Sequence, residues 1–143
     1  MKILIAEDVR HTAMQYMIVL SKRGHQVVTT QDGVDCLKAY NDAWKQSNPK
    51  TPNDSQFDVV VLDYRMPGKD GMQVAKQILA INPKQRIIFA SAYVRETLLE
   101  LAKELKSSVE LIEKPFELED FIAKIEEPYE RLNAGTANKR SSK

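Results

Sequence analysis

The stretch that decides the fold runs from residue 57 to residue 71 and reads Phe57-Asp58-Val59-Val60-Val61-Leu62-Asp63-Tyr64-Arg65-Met66-Pro67-Gly68-Lys69-Asp70-Gly71. Its apolar run at 59–62 is rich in β-branched residues, which is typical of a central strand covered on both faces. Asp63 ends this run, and a Pro/Gly turn leads into a segment whose apolar residues have helical spacing. Asp63 therefore lies at the carboxyl end of a strand, where ligands bind in open α/β sheets, although such an Asp is often only a turn former.

A pair of acids ends the first apolar run of the chain. Glu7 and Asp8 directly follow the short apolar run at 2–6 and precede a helical segment. Acids are favoured at a helix start by the helix dipole, so this pair alone indicates no site. If its strand lies beside the strand that ends at Asp63, three carboxylates come together and repel one another unless a cation lies among them. Such an oxygen-only ligand set suits Mg²⁺.

Two further strand ends carry a hydroxyl and an ammonium group. The apolar run at 86–90 ends at Ser91, and a weaker run at 109–113 ends at Lys114. In chain order, four strand ends thus supply an acid pair, a carboxylate, a hydroxyl and an ammonium. A nucleophilic carboxylate, a metal held by acids and two donors for phosphate oxygens together describe a site for phosphoryl transfer.

Strand and helix patterns alternate along the chain. Five strands alternate with helical segments expected at 10–22, 34–45, 72–81, 95–106 and 118–127. This (βα)5 pattern predicts an α/β fold in which helices cover both faces of a parallel sheet.

At this point the chain resembles the receiver domains of response regulators in two-component signalling. The resemblance rests on the motif Asp63-x-x-Met66-Pro67-Gly68-x-Asp70-Gly71 and on Lys114-Pro115-Phe116. It covers roughly residues 1–132 and implies a flavodoxin-like, doubly wound fold with a five-stranded parallel sheet. Residues 133–143 are expected to form a flexible basic tail.

The resemblance also implies a role for each polar residue at a strand end. Asp63 would be the phosphoacceptor, Ser91 the switch hydroxyl that follows the phosphoryl group, and Lys114 its ion-pair partner. Mg²⁺ would be held by Glu7, Asp8, Asp63 and the backbone carbonyl of Arg65. The peptide bond before Pro115 is expected to be cis.

The chain departs from the family pattern in three places. Leu111 stands where an aromatic switch residue is usual, Lys-Ser-Ser at 106–108 replaces a Gly-Ala, and a polar insert occupies 47–55. The first two departures bear on how Ser91 is coupled to the rest of the fold. Arg65 and Tyr93 would flank the approach of water to Asp63, and neither is a good water-orienting base. The resemblance therefore predicts slow loss of the acyl phosphate.

The first helical segment carries apolar residues on a side that surface helices usually give to charges. With Tyr16 toward the core, helical geometry places Met14, Met17 and Ile18 on the other side. Contiguous exposed apolar residues mark interaction sites. In the resembled family this helix docks onto histidine kinases and phosphotransfer proteins. The alternative is that Met17 folds over the rim of the core and the rest is incidental.

Composition narrows the classes of function. Lysine and arginine number 21 against 20 acids, which argues against broad binding to nucleic acid or membranes. No apolar run reaches membrane-spanning or signal-peptide length, and the single Cys36 can form no internal disulfide. These features predict a cytoplasmic protein. His11 and His25 are expected to be solvated, without a partner.

Three functions compete. The first is a stand-alone response regulator, monomeric or weakly dimeric on phosphorylation, that takes a phosphoryl group from a histidine kinase or phosphotransfer protein and signals or relays through an unidentified protein partner. It would catalyse only its own phosphorylation and dephosphorylation. The second, a phosphohydrolase of the haloacid dehalogenase type, requires an acid where Arg65 stands. The third is a degenerate receiver that only binds partners, an alternative that Leu111 keeps open.

Overall fold

A computed structural model of the chain describes residues 1–46, 56–66, 68–105 and 109–127. Strands and helices alternate within these ranges as β1 (Lys2–Ala6), α1 (Arg10–Lys22), β2 (Gln26–Thr30), α2 (Gly33–Lys45), β3 (Val59–Asp63), α3 (Gly71–Ile81), β4 (Arg86–Ser91), α4 (Val94–Glu104), β5 (Glu110–Glu113) and α5 (Leu118–Glu126). This order confirms the predicted (βα)5 pattern. The insert at 47–55, the turn at 106–108 and the basic tail at 133–143 lie outside the described residues.

The five strands form one parallel sheet in the order β2-β1-β3-β4-β5. This is the strand order of flavodoxin-like doubly wound folds, in which ligands bind where the order reverses, between β1 and β3. The two strands are direct neighbours, with Ala6 paired to Leu62. The residues that follow β1 therefore meet the end of β3 at one edge of the sheet.

The core has two layers, one on each face of the sheet. On one face, side chains of β1, β3 and β4 pack with α2 and α3, where Tyr40 and Ile78 are buried. On the other face, the alternate side chains of the same strands pack with α1 and α5, where Tyr16 and Phe121 are buried. Every residue of β3 is buried, which is why its sequence is continuously apolar up to Asp63.

The helix starts are positioned by local sequence. Asp70 and Gln73 form a capping box at the start of α3, and the Asp32 side chain accepts a hydrogen bond from the Asp35 amide at the start of α2. Gly71 begins α3 one residue earlier than expected. A Cβ at this position would lie 2.8 Å from the carbonyl oxygen of Asp63, so only glycine lets α3 start this close to the end of β3.

Arg86 fastens the last helix to the sheet. Its guanidinium donates to both carboxylate oxygens of Glu110, at 2.7 and 3.0 Å, and to the carbonyl oxygens of Lys124 and Ile125, each at 2.8 Å. The side chain is only 5% exposed. It thus donates hydrogen bonds to carbonyl groups in the last turn of α5, where intrahelical donors run out.

His25 is not the solvated residue that was expected. Its Nε2 lies 2.8 Å from Glu126 and its Nδ1 lies 3.0 Å from the amino group of Met1. That expectation was wrong because the partner, Glu126, is 101 residues away in the chain, a separation at which local patterns carry no signal. Within the described residues, no helix is both long and apolar enough to cross a membrane.

Candidate functional site

Three carboxylates meet at the carboxyl edge of the sheet. One oxygen from each of Glu7, Asp8 and Asp63 lies within 4.8 Å of the others. Glu7 and Asp63 are buried, whereas Asp8 is exposed at the mouth of the group. Glu7 is held in place by the amide of Val9, which donates to its Oε2 at 3.0 Å. A set of hard oxygen ligands that is open on one side fits Mg²⁺, which retains several of its waters.

Lys114 supplies the positive charge nearest to these acids. Its Nζ lies 3.2 Å from Glu7 and 3.2 Å from Asp63. Burial alone would lower the pKa of Lys114, but the charges of Asp63 and Glu7 raise it above the ordinary lysine value. Lys114 therefore stays protonated beside Asp63. The Lys114–Pro115 peptide bond is cis, in agreement with the expectation.

The Asp63 carboxyl is tuned by its surroundings. Burial, followed by the charge of Glu7, raises its pKa to about 7, and Lys114 opposes this rise. The ionised form is thus unfavourable in the protein alone. A divalent cation among the three carboxylates would reverse this balance, because it favours the charged form of its ligands.

Ser91 ends β4 beside Asp63, but its hydroxyl is hydrogen-bonded to residues at the start of α4. Its Oγ lies 2.9 Å from the hydroxyl of Thr97 and accepts a hydrogen bond from the Tyr93 amide, also at 2.9 Å. Thr97 in turn donates to the Tyr93 carbonyl oxygen at 2.7 Å. Thr97 was not among the residues expected at the site. The helical spacing that aligns it with buried Leu101 could have placed it on the inner face of α4.

Tyr64, the residue after Asp63, reaches α4 as well. Its hydroxyl donates to Glu100, and its ring packs edge-on against Phe89 with the centroids 5.8 Å apart. Glu100 was not among the residues singled out in the sequence. Leu111, which stands in the usual aromatic position, is half-buried and packs against the core on the α2 and α3 face.

Arg65, two residues after Asp63, contacts Tyr93, two residues after Ser91. The Arg65 guanidinium lies over the Tyr93 ring at 5.0 Å and over the Tyr64 ring at 6.0 Å from each centroid. Tyr93 remains 51% exposed. The two side chains that would flank the approach of water thus form one cation–π pair.

Two of the three apolar residues expected on the outward side of α1 are exposed, as the helical wheel predicts, and the third is only partly exposed. Met14 and Ile18 are 53% and 47% exposed, Met17 is half-buried, and Tyr16 is in the core. Next to this helix lies a largely apolar cavity of about 440 Å³, between α1 and the loop after β5. Its lining includes Thr12, Gln15, Ala92, Lys114, Pro115 and Phe116.

The sequence itself matches a known family and known proteins. Residues 3–126 match the family model of the response regulator receiver domain. The chain is 28% identical over 119 residues to sporulation initiation phosphotransferase F of Bacillus subtilis (strain 168), a match that covers 83% of this chain and 86% of that protein. It is 29% identical over 143 residues to the transcriptional regulatory protein RprY of Bacteroides fragilis (strain YCH46). That match covers 99% of this chain and 54% of RprY, so the chain spans about half the length of this relative.

Solved structures show the same fold. A response regulator receiver domain protein from Clostridium thermocellum aligns with a TM-score of 0.70 at 21% identity, covering 99% of this chain and 98% of that one. The response regulator TrrA of Thermotoga maritima, solved in complex with Mg²⁺ and BeF, aligns with a TM-score of 0.68 at 23% identity, covering 87% and 95%. Since the family model spans residues 3–126, nearly the whole described chain, the protein belongs to the response regulator receiver domain family.

Proposed function

We propose that this chain accepts a phosphoryl group on Asp63 from a histidine kinase or a histidine phosphotransfer protein, in a reaction that requires Mg²⁺. The observation that carries the proposal is the placement of Asp63, a buried carboxylate grouped with Glu7 and Asp8 and in contact with Lys114. The phosphorylated protein would then signal or relay by binding a protein partner. The stand-alone arrangement expected from the sequence stays a prediction, because RprY is about twice as long as this chain.

The chain's own residues perform the transfer as follows. A carboxylate oxygen of Asp63 attacks the phosphorus of the partner's phosphohistidine, and a new P–O bond forms. The bond between phosphorus and the imidazole nitrogen breaks, and its electron pair stays on the nitrogen. Lys114, already 3.2 Å from Asp63, pairs with a phosphoryl oxygen as negative charge moves toward the acceptor.

Glu7, Asp8, Asp63 and the backbone carbonyl of Arg65 would hold the Mg²⁺ ion. When bound, Mg²⁺ supplies positive charge that neutralises the phosphoryl oxygens during transfer. The acidic group fits this role because its oxygens converge within 4.8 Å and Asp8 leaves one side open to solvent.

The exposed apolar residues of α1 support a docking role. Met14 and Ile18 are exposed and lie on the same helix as Thr12, Gln15 and Tyr16, which line the cavity beside Lys114. A helix of the phosphodonor that packs on this patch would bring its phosphohistidine to the edge of the sheet where Asp63 lies. Met side chains suit such adaptable contacts.

The test is phosphorylation by a small-molecule donor, acetyl phosphate, followed by intact-protein and peptide mass spectrometry. We expect one phosphoryl group, located on Asp63, and no modification when a chelator removes Mg²⁺. Asp63→Asn should abolish labelling, whereas Asp42→Asn, a matched change on the exposed side of α2, should label normally. Persistent labelling of Asp63→Asn, or labelling unaffected by chelator, would overturn the assignment.

One alternative has a specific observation in its favour. Leu111 replaces the usual aromatic switch residue, so a receiver that binds partners without phosphorylation is a second candidate. This candidate predicts equal partner binding with and without beryllofluoride, a phosphate mimic, at saturating Mg²⁺. The proposed function predicts that the mimic changes the binding.

A further inference from the structure

Ser91, Tyr93 and Thr97 form a closed set of hydrogen bonds at the junction of β4 and α4. Thr97 is fully buried and Ser91 nearly so. Ser91 Oγ lies 2.9 Å from Thr97 Oγ1, the Tyr93 amide donates to Ser91 Oγ at 2.9 Å, and Thr97 Oγ1 donates to the Tyr93 carbonyl at 2.7 Å. The Ser91 hydroxyl is therefore held from two sides by the start of α4.

The direction of the Ser91–Thr97 hydrogen bond follows from the donors available. A carbonyl oxygen only accepts, so Thr97 uses its single hydroxyl hydrogen on the Tyr93 carbonyl. Ser91 must then be the donor to Thr97. Because Ser91 has one hydrogen as well, it has none left for a phosphoryl oxygen on Asp63 while this bond exists.

We propose that Thr97 is a positioning residue that holds the Ser91 hydroxyl away from the phosphoryl site and thereby weakens formation of the phosphorylated conformation. The inference rests on the proposed function, since it requires Ser91 to bond the phosphoryl group on Asp63. In this proposal, Thr97 Oγ1 and a phosphoryl oxygen on Asp63 compete as acceptors for the single hydroxyl hydrogen of Ser91.

The same competition carries the signal to α4. When Ser91 turns to the phosphoryl group, buried Thr97 loses a donor and the Tyr93 amide loses its acceptor. Buried polar groups left without partners are unfavourable, so the start of α4 must rearrange to satisfy them. Leu111 has no hydroxyl or aromatic ring with which to follow Ser91, and Thr97 supplies a route that does not need one.

The first test compares beryllofluoride affinity at saturating Mg²⁺ by isothermal titration calorimetry. Thr97→Val keeps the side-chain shape and removes the acceptor, so it should bind beryllofluoride about fivefold more tightly, the factor that corresponds to one ordinary hydrogen bond. Thr97→Ser retains the hydroxyl and should match the wild type. Mg²⁺ affinity measured without beryllofluoride should be equal in all three proteins.

A double-mutant cycle distinguishes the proposed competition for the Ser91 hydrogen from a purely structural role of Thr97. In a Ser91→Ala background, Thr97→Val should leave beryllofluoride affinity unchanged, because the competing hydrogen is gone. An equal gain with and without Ser91, or no gain at all, would overturn the inference. If the wild type binds no beryllofluoride, the proposed function fails instead.

A second measurement needs no variant and covers the case in which Thr97→Val does not fold. Amide hydrogen exchange of the wild type, followed by NMR at saturating Mg²⁺, reports the Tyr93 amide directly. We expect its exchange to accelerate when beryllofluoride is added, because Ser91 no longer accepts its hydrogen. Unchanged protection of the Tyr93 amide in the beryllofluoride-bound protein would contradict the proposal.

Discussion

At the scale of single residues, the site around Asp63 is built from charges that oppose one another. Asp63 is buried next to Glu7, with Asp8 close by and one ammonium, from Lys114, in contact with both buried acids. This arrangement is unfavourable for the protein alone and favourable once a cation and a phosphoryl group are present. It exemplifies the stability that proteins give up at functional sites.

The raised pKa of Asp63 leads to a pH-dependent prediction. Its folded-state pKa is about 7, against an ordinary value of 3.8, so between these values the folded protein keeps a proton that the unfolded chain has lost. The protonated Asp63 carboxyl therefore favours the folded state most strongly at pH values below 3.8. This contribution to the free energy of unfolding is lost as the pH rises through 7. Without Mg²⁺, the free energy of unfolding of Asp63→Asn minus that of the wild type should therefore be larger at pH 8 than at pH 5, by on the order of 2 kcal/mol.

This difference can be measured by urea denaturation in the presence of a chelator at both pH values. Asp42→Asn, on exposed α2 surface, is the control and should show no pH-dependent difference from the wild type. A constant difference between Asp63→Asn and the wild type at the two pH values would contradict the prediction. With saturating Mg²⁺ added, the wild type should regain much of its lost stability, because the cation favours the ionised carboxylate.

The contact between Arg65 and Tyr93 leads to a prediction about the lifetime of the acyl phosphate. Hydrolysis needs a water in line with the phosphoryl bond, and these two side chains pair beside its approach. Replacing Arg65 by Asn and Tyr93 by Glu removes the pair and introduces an amide and a carboxylate that can orient water. The double variant should lose its phosphoryl group several-fold faster, in a radiolabel decay experiment at saturating Mg²⁺. Equal or slower decay would show that the pair does not shield the bond.

At the scale of elements, α1 and α4 flank the site in different ways. α1 presents an exposed apolar side next to the cavity beside Lys114. α4 is tied to the site through side chains, by the Ser91–Thr97 hydrogen bond and by the hydroxyl of Tyr64, which donates to Glu100. Under the proposed function, α1 would face the phosphodonor and α4 would respond to phosphorylation of Asp63.

The role of α1 can be tested by charge substitution. Met14→Glu combined with Ile18→Glu should slow phosphoryl transfer from the partner at least tenfold, since buried charges without partners weaken an interface. Phosphorylation by acetyl phosphate and the melting temperature should change little, because both side chains are about half exposed. Leu99→Glu, on exposed α4 surface, is the matched control and should transfer normally. A strong loss of stability in the α1 variant would instead assign these residues to the core.

At the scale of the whole molecule, the two ends of the parallel strands carry different kinds of residue. The carboxyl ends of the strands carry the acids, Ser91 and Lys114, whereas Arg86 lies at the amino end of β4 and binds Glu110 and the last turn of α5. The polar residues of the candidate site and the contacts that hold α5 thus lie at opposite ends of the strands. Changes at one end should leave the other intact.

Substitution of Arg86 tests whether the two ends of the sheet are independent. Arg86→Met removes the nearest charge partner of Glu110 and the guanidinium donors to two carbonyls of α5. It should therefore lower the free energy of unfolding by about 3 kcal/mol. Urea denaturation measures this loss, and Lys38→Met, which removes an exposed helical ion pair, should change the midpoint little. Mg²⁺ affinity of the folded Arg86→Met protein should equal that of the wild type. A large loss of Mg²⁺ affinity would show that the two ends are coupled.

Features that depend on local pattern could be predicted from the amino-acid sequence, whereas contacts between residues far apart in the chain could not. The bounds of β1 and α1 agree with expectation, because apolar periodicity records which face of each element is buried. The gathering of Glu7, Asp63 and Lys114 could be expected because parallel strands end at one edge. The contacts of Thr97, Glu100 and His25 could not, since each depends on the angle and depth at which a helix or loop packs.

One feature of α2 has a practical consequence for optical work on this protein. Trp44 is the only tryptophan in the chain, and it lies in the last turn of α2, stacked on Tyr40. The first residue of α2, Gly33, closely approaches the Lys69 carbonyl on the loop after Asp63. Trp44 lies eleven positions further along the helix, a rise of roughly 16 Å along the helix axis. Tryptophan emission will therefore follow unfolding of the molecule while remaining silent to metal and phosphoryl occupancy. A flat fluorescence titration with Mg²⁺ is the expected behaviour of a fully functional sample, and heat or chemical-shift measurements are the suitable assays of binding.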